Sequence, residues 1–164
     1  MTGRSEPAIR VTVRRAEPGD LTCVHEIERA SFADPWTLDA FRETFDQNRA
    51  WFEVAIGEQS EVLGYAIAWM TADEAELANL AVAPGARGHH IGARLLDRML
   101  EASKALGMRS AFLEVRASNA AALSLYVSRG FQSFGRRAKY YRRPVEDALI
   151  MRRDLIDPTN AMIE

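Results

Sequence analysis

Two periods of apolar and polar side chains run along the chain and predict its secondary structure. Residues 9–16, IRVTVRRA, alternate one by one, which is typical of a strand with one buried face. Behind Pro18, apolar residues recur every three or four positions over residues 21–30 and predict an amphipathic helix. The loop SFADPW, residues 31–36, ends this helix, because the residue before Pro35 disfavours helical backbone.

The rest of the chain predicts an antiparallel meander followed by alternating helices and strands. A short helix over residues 37–45 precedes the meander, and Asn119 has the side chain of a helix cap. The basic, aromatic stretch KYYRRPVED, residues 139–147, is expected to be a loop. This order predicts an α/β (α+β) fold with a mixed sheet flanked by helices. The remaining predicted elements are strands over residues 51–56, 62–70 and 74–82, a helix over 90–106, a strand over 110–118, a helix over 120–129 and strands over 131–137 and 148–153.

Length, composition and charge restrict the class of protein. The 164 residues suit one domain, and 48% hydrophobic with 27% charged residues is ordinary for a globular protein. We expect that domain over residues 9–155, between flexible segments at 1–8 and 156–164. A net charge of −2 and the lack of a long apolar run favour neither nucleic acid nor a membrane as partner. Cys23 is the sole cysteine, so a reducing, cytoplasmic setting is expected.

The stretch RGHHIGARLL, residues 87–96, has the pattern of a turn that opens a helix. Unpaired N–H groups and partial positive charge at a helix N-terminus favour phosphate. Gly88 and Gly92 allow a close backbone approach, with His90 between them. An ordinary strand-to-helix turn fits the same residues. A metal site is not expected here, because adjacent histidines point apart on a helix.

Two side chains outside the turn are candidates for acid–base chemistry. Glu114 lies in the strand SAFLEVRAS, on the face that also carries Arg116. An ion pair with Arg116 or with a cation of a neighbouring strand is a structural alternative, which the residues alone favour. Tyr126 follows Leu123 at helical spacing, which is also typical of a core tyrosine.

Three longer segments resemble one known family. LANLAVAPGARGHHIGARLLDRML, LEVRASNAAALSLYVSRGF and KYYRRPVEDALIM resemble the GCN5-related N-acetyltransferase (GNAT) superfamily, and the resemblance covers residues 11–155. Within the superfamily, the chain resembles the RimI-like ribosomal-protein-alanine N-acetyltransferases and the archaeal and eukaryotic N-terminal acetyltransferases. The segment ERASFADPW is similar to their first loop. The family pattern Arg/Gln-x-x-Gly-x-Gly/Ala falls on residues 87–92 and departs at His90, where the family has glycine.

The resemblance implies the GNAT fold, with a mainly antiparallel sheet, and the use of acetyl-CoA as acetyl donor without a metal. Histidine keeps its backbone N–H, and a first helical turn has a negative φ that any L-residue adopts. We therefore expect His90 to be tolerated. The residues that the resemblance assigns to acetyl-CoA are Leu80, Ala81 and Val82 on a strand, Arg87, Gly88, His89, His90, Ile91, Gly92 and Ala93 in the turn, and Asn119.

The resemblance also implies catalytic roles. Glu114 becomes the candidate general base, acting directly or through a water, and a modest base suffices because an α-amino group has a pKa of roughly 8. Tyr126 becomes the candidate general acid, since a phenol is protonated at neutral pH and can protonate the departing thiolate. A backbone N–H near Val82 would stabilise the oxyanion, where the family's strand splays from its neighbour.

Two loops are implied to flank the acceptor. Phe32 and Trp36 would wall a pocket for a small first side chain, although packing of the short helix explains them equally. Tyr140 and Tyr141 would hydrogen-bond the acceptor backbone, and because they are adjacent in a strand only one is expected to face inward. A basic run, which suits an acidic acceptor or a ribosomal surface but is also typical of a solvated face, comprises Arg136, Arg137, Lys139, Arg142 and Arg143.

The sequence thus predicts an acetyltransferase that modifies a protein N-terminus, with a ribosomal-protein alanine as the acceptor and a monomer or weak homodimer as the active form. Two alternatives remain open. One is a small-amine acetyltransferase of the same fold. The other is a non-catalytic module that binds CoA or a protein partner.

Overall fold

The structure is a computed structural model and describes residues 9–156. The segments predicted to be flexible, 1–8 and 156–164, lie outside this range except for Ile156. No helix within the described range is both long and apolar enough to cross a membrane. The helices and strands are β1 (Thr12–Arg15), α1 (Leu21–Ser31), α2 (Leu38–Phe45), β2 (Ala50–Ile56), β3 (Val62–Thr71), β4 (Glu74–Val82), α3 (Ile91–Ala105), β5 (Ser110–Arg116), α4 (Ala120–Ser128), β6 (Gln132–Arg142) and β7 (Val145–Asp154).

The strands form a seven-stranded sheet in the order β1-β2-β3-β4-β5-β7-β6. Neighbouring strands run antiparallel, except that β4 and β5 run parallel. A parallel pair requires a crossover connection, and α3 supplies it. The predicted mixed, mainly antiparallel sheet is therefore confirmed.

Helices cover both faces of the sheet, and alternation along β3 divides the core in two. Tyr65 and Ile67 point into a cluster with α1 and α2, whereas Ala66 and Ala68 point into a cluster with α3. Such period-two alternation places successive side chains on opposite faces. The small alanines let α3 approach the sheet closely, and bulky aromatic residues fill the space under α1 and α2.

The prediction of a loop over residues 139–147 is wrong. β6 and β7 continue through this stretch and pair as far as Arg142 and Val145, so that only Arg143 and Pro144 form the turn. The pairing is interrupted between Arg137 and Tyr141, where β6 contains a bulge. The charged side chains of this stretch are what led to the prediction of a loop. The two strands nevertheless form a long hairpin, in which the backbone N–H and C=O groups of one strand are hydrogen-bonded to those of the other.

Candidate active site

A groove opens in the sheet where β4 and β5 separate. Their parallel pairing ends at Leu77 and Leu113. In β4 the residue that follows, Ala78, is bulged out of the register with β3, because Ile67 pairs with Asn79 and Ala68 pairs with Leu77. The bulge and the lost pairing leave the end of β4 without a neighbour toward β5. The resulting cavity has a volume of about 820 Å³.

The groove brings together most of the residues predicted for the site. Of the turn, only Arg87 and Gly92 line the groove, and the side chain of Ile91 is instead buried in the core with 3% exposure. The predicted residues outside the groove lining are Gly88, His89, His90, Ile91 and Ala93, and those that line it are Phe32, Trp36, Leu80, Ala81, Val82, Arg87, Gly92, Glu114, Asn119, Tyr126, Tyr140 and Tyr141.

The expectation that His90 has a helical φ is wrong. α3 begins at Ile91, and His90 is its N-cap with φ 61° and ψ 20°, in the left-handed region. Gly88 also has a positive φ, of 83°, so two residues have left-handed backbone before the helix starts. Glycine at position 90, as in the family pattern, would adopt this conformation without steric cost.

Gly92 and Arg87 are the residues of the turn that line the groove. A Cβ atom added at Gly92 would lie 3.5 Å from Leu80 and 3.7 Å from Leu125, which is ordinary contact and fits the Gly/Ala choice of the pattern. Arg87 donates from Nε to the Val82 carbonyl at 3.1 Å and from a terminal nitrogen to Ser31 Oγ at 3.1 Å. It thereby joins the turn to the end of α1.

Asn119 confirms its predicted place as the cap of α4. Its Oδ1 accepts a hydrogen bond from the Ala122 N–H at 3.1 Å, and its own N–H donates to the Arg116 carbonyl at 3.0 Å. The side chain satisfies an otherwise unpaired helix N–H. Its position fixes where α4 leaves β5 and therefore fixes one wall of the groove.

Glu114 is both ion-paired and exposed to the groove. Its Oε1 lies 2.7 Å from Arg137 Nε. An ion pair was predicted, but its cation belongs to β6, which β7 separates from β5, and not to Arg116 or to a neighbouring strand. Arg116 pairs instead with Glu146 at 3.5 Å and places its guanidinium 4.1 Å from the Tyr141 ring centre. The Glu114 carboxylate therefore lines the groove and forms an ion pair at the same time.

A second carboxylate, Glu76, lines the same groove and was missed from the sequence. Glu76 of β4 is in register with Phe112 of β5, two residues before Glu114, and lies on the same face of the sheet. Burial raises the pKa of Glu76, and the charge of Glu114 raises it further. Its signal in the sequence is a glutamate between Ala75 and Leu77, on the polar side of an alternating strand.

Tyr126 is a core residue whose ring reaches the groove. It is 8% exposed and packs edge-on against Phe131, with ring centres 5.9 Å apart. Burial raises the pKa of Tyr126 to about 12, with a smaller contribution from Tyr141. The phenol therefore stays protonated through the neutral range. The prediction of a core tyrosine from its helical spacing is therefore confirmed, and its ring also lines the groove.

The expectation that only one of Tyr140 and Tyr141 faces inward is wrong, because both line the groove. The bulge in β6 breaks the alternation, with Lys139 at φ 49°. Asp147 holds this conformation by accepting hydrogen bonds from the Lys139 N–H at 2.9 Å and from Arg136 at 2.8 Å. The two rings consequently meet edge to face at 5.2 Å on the same side.

Phe32 and Trp36 form the opposite wall. Phe32 is 39% exposed, whereas Trp36 packs against Phe41 of α2 with ring centres 5.3 Å apart. Trp36 thus packs against α2 and lines the groove at the same time.

Two members of the basic run form ion pairs with acidic partners: Arg136 with Asp147 and Arg137 with Glu114. Within residues 9–156, no group of three or more His, Cys, Asp or Glu side chains is arranged to hold a metal ion.

A splayed parallel pair within a mainly antiparallel sheet, followed by a turn into a long helix, is the geometry that the family resemblance predicts. The family model of the acetyltransferase (GNAT) family matches residues 21–131. The chain therefore belongs to this family and is an acetyltransferase.

Two relatives and one solved structure are similar to this chain over most of its length. The chain is 34% identical over 142 residues to the [ribosomal protein bS18]-alanine N-acetyltransferase of Escherichia coli, covering 85% of this chain and 95% of the relative. It is 36% identical to the N-alpha-acetyltransferase RimI of Mycobacterium tuberculosis, covering 97% and 100%. The crystal structure of the E. coli ribosomal-protein-S18-alanine N-acetyltransferase superposes with a TM-score of 0.84 at 32% identity, covering 90% of this chain and 96% of that one.

Proposed function

We propose that this protein transfers the acetyl group of acetyl-CoA to the α-amino group of a protein N-terminus, with the N-terminal alanine of a ribosomal protein as the acceptor. The name of the E. coli relative states alanine N-acetylation of ribosomal protein bS18, and the name of the M. tuberculosis relative states N-alpha-acetylation. The single observation that supports it most is that Glu114 and Tyr126 line one groove at the point where β4 and β5 separate. Residues 9–155 act as one catalytic domain, and a ribosomal acceptor implies a cytoplasmic protein.

The chain offers acetyl-CoA a backbone surface and a helix terminus. β4 has no partner on its β5 side beyond Leu77, so the backbone of residues 80–82 is available to an extended ligand. The turn over residues 87–93 leads into α3, whose first N–H groups favour the pyrophosphate. Asn119 lines the same cavity from the other wall. When bound, the thioester supplies the activated acetyl group.

Glu114 and Tyr126 act as base and acid in this proposal. An α-ammonium group with a pKa of roughly 8 has to lose a proton before it attacks, and the Glu114 carboxylate receives that proton directly or through a water. A backbone N–H near Val82 stabilises the tetrahedral oxyanion. Tyr126, whose raised pKa keeps its proton in place, then protonates the leaving thiolate.

The acceptor N-terminus lies between two aromatic walls. Phe32 and Trp36 on one side and Tyr140 and Tyr141 on the other line the groove in which the first side chain lies. Glu76 provides a second negative charge next to Glu114, which suits a positively charged amine that enters. The α-ammonium of an N-terminal residue meets this requirement.

The test is mass spectrometry of a peptide panel incubated with the protein and acetyl-CoA. The panel varies the first residue, and it includes N-terminally blocked lysine peptides and polyamines. We expect one acetyl group on free N-termini, strongest for alanine. Acetylation of polyamines without acetylation of peptides would contradict the proposal. Binding of acetyl-CoA without any turnover would also contradict it.

The role of Glu114 is tested by Glu114→Gln. We expect kcat to fall about 10²–10⁴-fold with partial recovery at higher pH, since fewer amines then need a base. The matched control is Glu101→Gln, which changes an exposed glutamate of α3. An unchanged kcat for Glu114→Gln would refute the role.

A further inference from the structure

Glu28 of α1 is a buried carboxylate at the bottom of the groove that the proposed mechanism does not use. Glu28 is 1% exposed, although it lines the cavity. In the sequence it continues the apolar stripe of α1, four positions after Val24, where a charged side chain is out of place. A buried carboxylate is costly unless hydrogen bonds satisfy it.

Three separate segments donate hydrogen bonds to Glu28. The backbone N–H of Trp36 donates to Oε1 at 3.0 Å. Asn79 Nδ2 donates to Oε1 at 3.1 Å and to Oε2 at 3.0 Å. The Tyr65 hydroxyl donates to Oε2. Among residues 9–156, no lysine or arginine forms an ion pair with this carboxylate. Neutral donors from a loop and two strands therefore hold the charge.

Opposing effects act on the ionisation of Glu28, and burial outweighs the others, so that its pKa is raised. Burial raises its pKa, and the hydrogen bonds from Tyr65, Trp36 and Asn79 oppose that rise. Each bond lost would leave a buried polar group without a partner, which costs free energy. The network accordingly favours one arrangement of the three donors.

The donors belong to the parts of the groove on which acceptor placement depends. Trp36 ends the acceptor loop and, together with Trp69, separates the groove from a second cavity of about 650 Å³. Asn79 directly follows the bulged Ala78, where β4 starts to diverge from β5. Glu28 therefore connects the wall that faces the acceptor with the strand at which the acetyl group is transferred.

We propose that Glu28 is a positioning residue, which fixes the distance between the acceptor wall and β4 and so sets the affinity for the acceptor amine. This inference rests on the proposed function for the identity of the acceptor. Glu28 takes no proton from the acceptor, and it acts through Trp36 and Asn79. Its loss therefore affects acceptor binding more than cofactor binding.

The kinetic test compares Glu28→Gln with Glu26→Gln, which changes an exposed glutamate of the same helix. For Glu28→Gln we expect the KM of the acceptor to rise about tenfold and kcat to fall less, with the Kd of acetyl-CoA within twofold of the original. Glu26→Gln should change none of these. A lower melting temperature with unchanged KM and kcat would show a merely structural role and overturn the proposal.

An exchange of partners provides the rescue. In Glu28→Gln combined with Asn79→Asp, amide and carboxylate face each other again with their roles reversed. We expect Asn79→Asp alone to raise the acceptor KM, because it places two carboxylates together, and the double variant to recover most of the loss. A double variant whose KM is the product of the two single effects would count against positioning through Asn79.

A readout independent of turnover separates this proposal from the proposed function. With Trp51→Phe and Trp69→Phe, Trp36 is the remaining tryptophan. Adding Glu28→Gln should increase quenching of Trp36 fluorescence by acrylamide by at least twofold. Peptide acetylation by the unmodified protein reports on the proposed function, whereas this quenching reports on Glu28. Unchanged quenching would overturn the proposal even if peptides are acetylated.

Discussion

Glu114 and Arg137 form an ion pair across an intervening strand, with 2.7 Å between Oε1 and Nε. Glu114 lies on β5 and Arg137 on β6, and β7 runs between them. Ala148 of β7 is in register with Arg137 and is fully buried, so its small side chain leaves room for the guanidinium to reach over it. Arg137 therefore acts on two carboxylates that line the groove, Glu114 and Glu76.

Removal of that cation should appear in the titration of Glu76. Arg137 lowers the pKa of Glu76, while burial and the charge of Glu114 raise it. We expect Arg137→Met to move the Glu76 titration to higher pH, as measured by NMR of the side-chain carboxyl carbon. Arg136→Met, which removes the partner of Asp147, is the control and should leave Glu76 unchanged. A shift of Glu76 to lower pH in Arg137→Met would contradict this electrostatic description.

Glu76 should also make stability depend on pH in a defined direction. Its pKa is higher in the folded than in the unfolded protein, so the folded state is most favoured while Glu76 is protonated. That advantage is present below the unfolded pKa and is lost as pH rises through the folded one. Glu76→Gln should therefore be more stable than the original protein at neutral pH and lose this gain on acidification.

The gain should stay below about 1 kcal/mol, because Glu76 keeps part of its surface in solvent. Urea unfolding between pH 4 and pH 8 measures it. Glu74→Gln, on the same strand and exposed, should show no such pH dependence. Equal stability of Glu76→Gln and the original protein at every pH would mean that burial imposes no cost on this charge.

Local patterns in the sequence predicted the sheet and its helices, because alternation and helical spacing follow directly from which faces are buried. They failed where the reason lies elsewhere in the chain. The bulge that turns Tyr140 and Tyr141 to one side depends on Asp147 of the partner strand. The burial of Glu28 was not predicted, since its three donors come from other segments of the chain. The left-handed backbone conformation of His90 could not be predicted from the sequence either, because the side-chain type alone does not determine it.

The proposed role of Tyr126 as proton donor gives a prediction about kcat. Tyr126→Phe removes one oxygen from a side chain whose ring remains packed against Phe131, so the fold and the cofactor affinity should be unchanged. We expect kcat to fall about 10²–10⁴-fold, the usual range for a general acid. Because the pKa of Tyr126 is about 12, ionisation of this phenol should not lower activity below about pH 10.

Tyr140→Phe is the matched control for Tyr126. It removes a phenol oxygen from the same groove at an exposed position, and it should change the acceptor KM more than kcat. Steady-state kinetics of both variants with one peptide acceptor show whether Tyr126 is the proton donor. A kcat for Tyr126→Phe within threefold of the original would exclude it as the proton donor.

The left-handed backbone at His90 predicts that glycine is preferred there. A non-glycine residue in this region costs roughly 1–2 kcal/mol, whereas glycine adopts it freely but has more freedom to lose on folding. His90→Gly should therefore raise the free energy of unfolding, by about 0.5–1 kcal/mol in urea titrations, and should leave the calorimetric Kd of acetyl-CoA equal or lower. His89→Gly is the control, because the positive-φ residues of the described chain include His90 but not its neighbour, and it should destabilise by about 0.5–1 kcal/mol. If both variants lose stability equally, the strain at His90 is absent in solution.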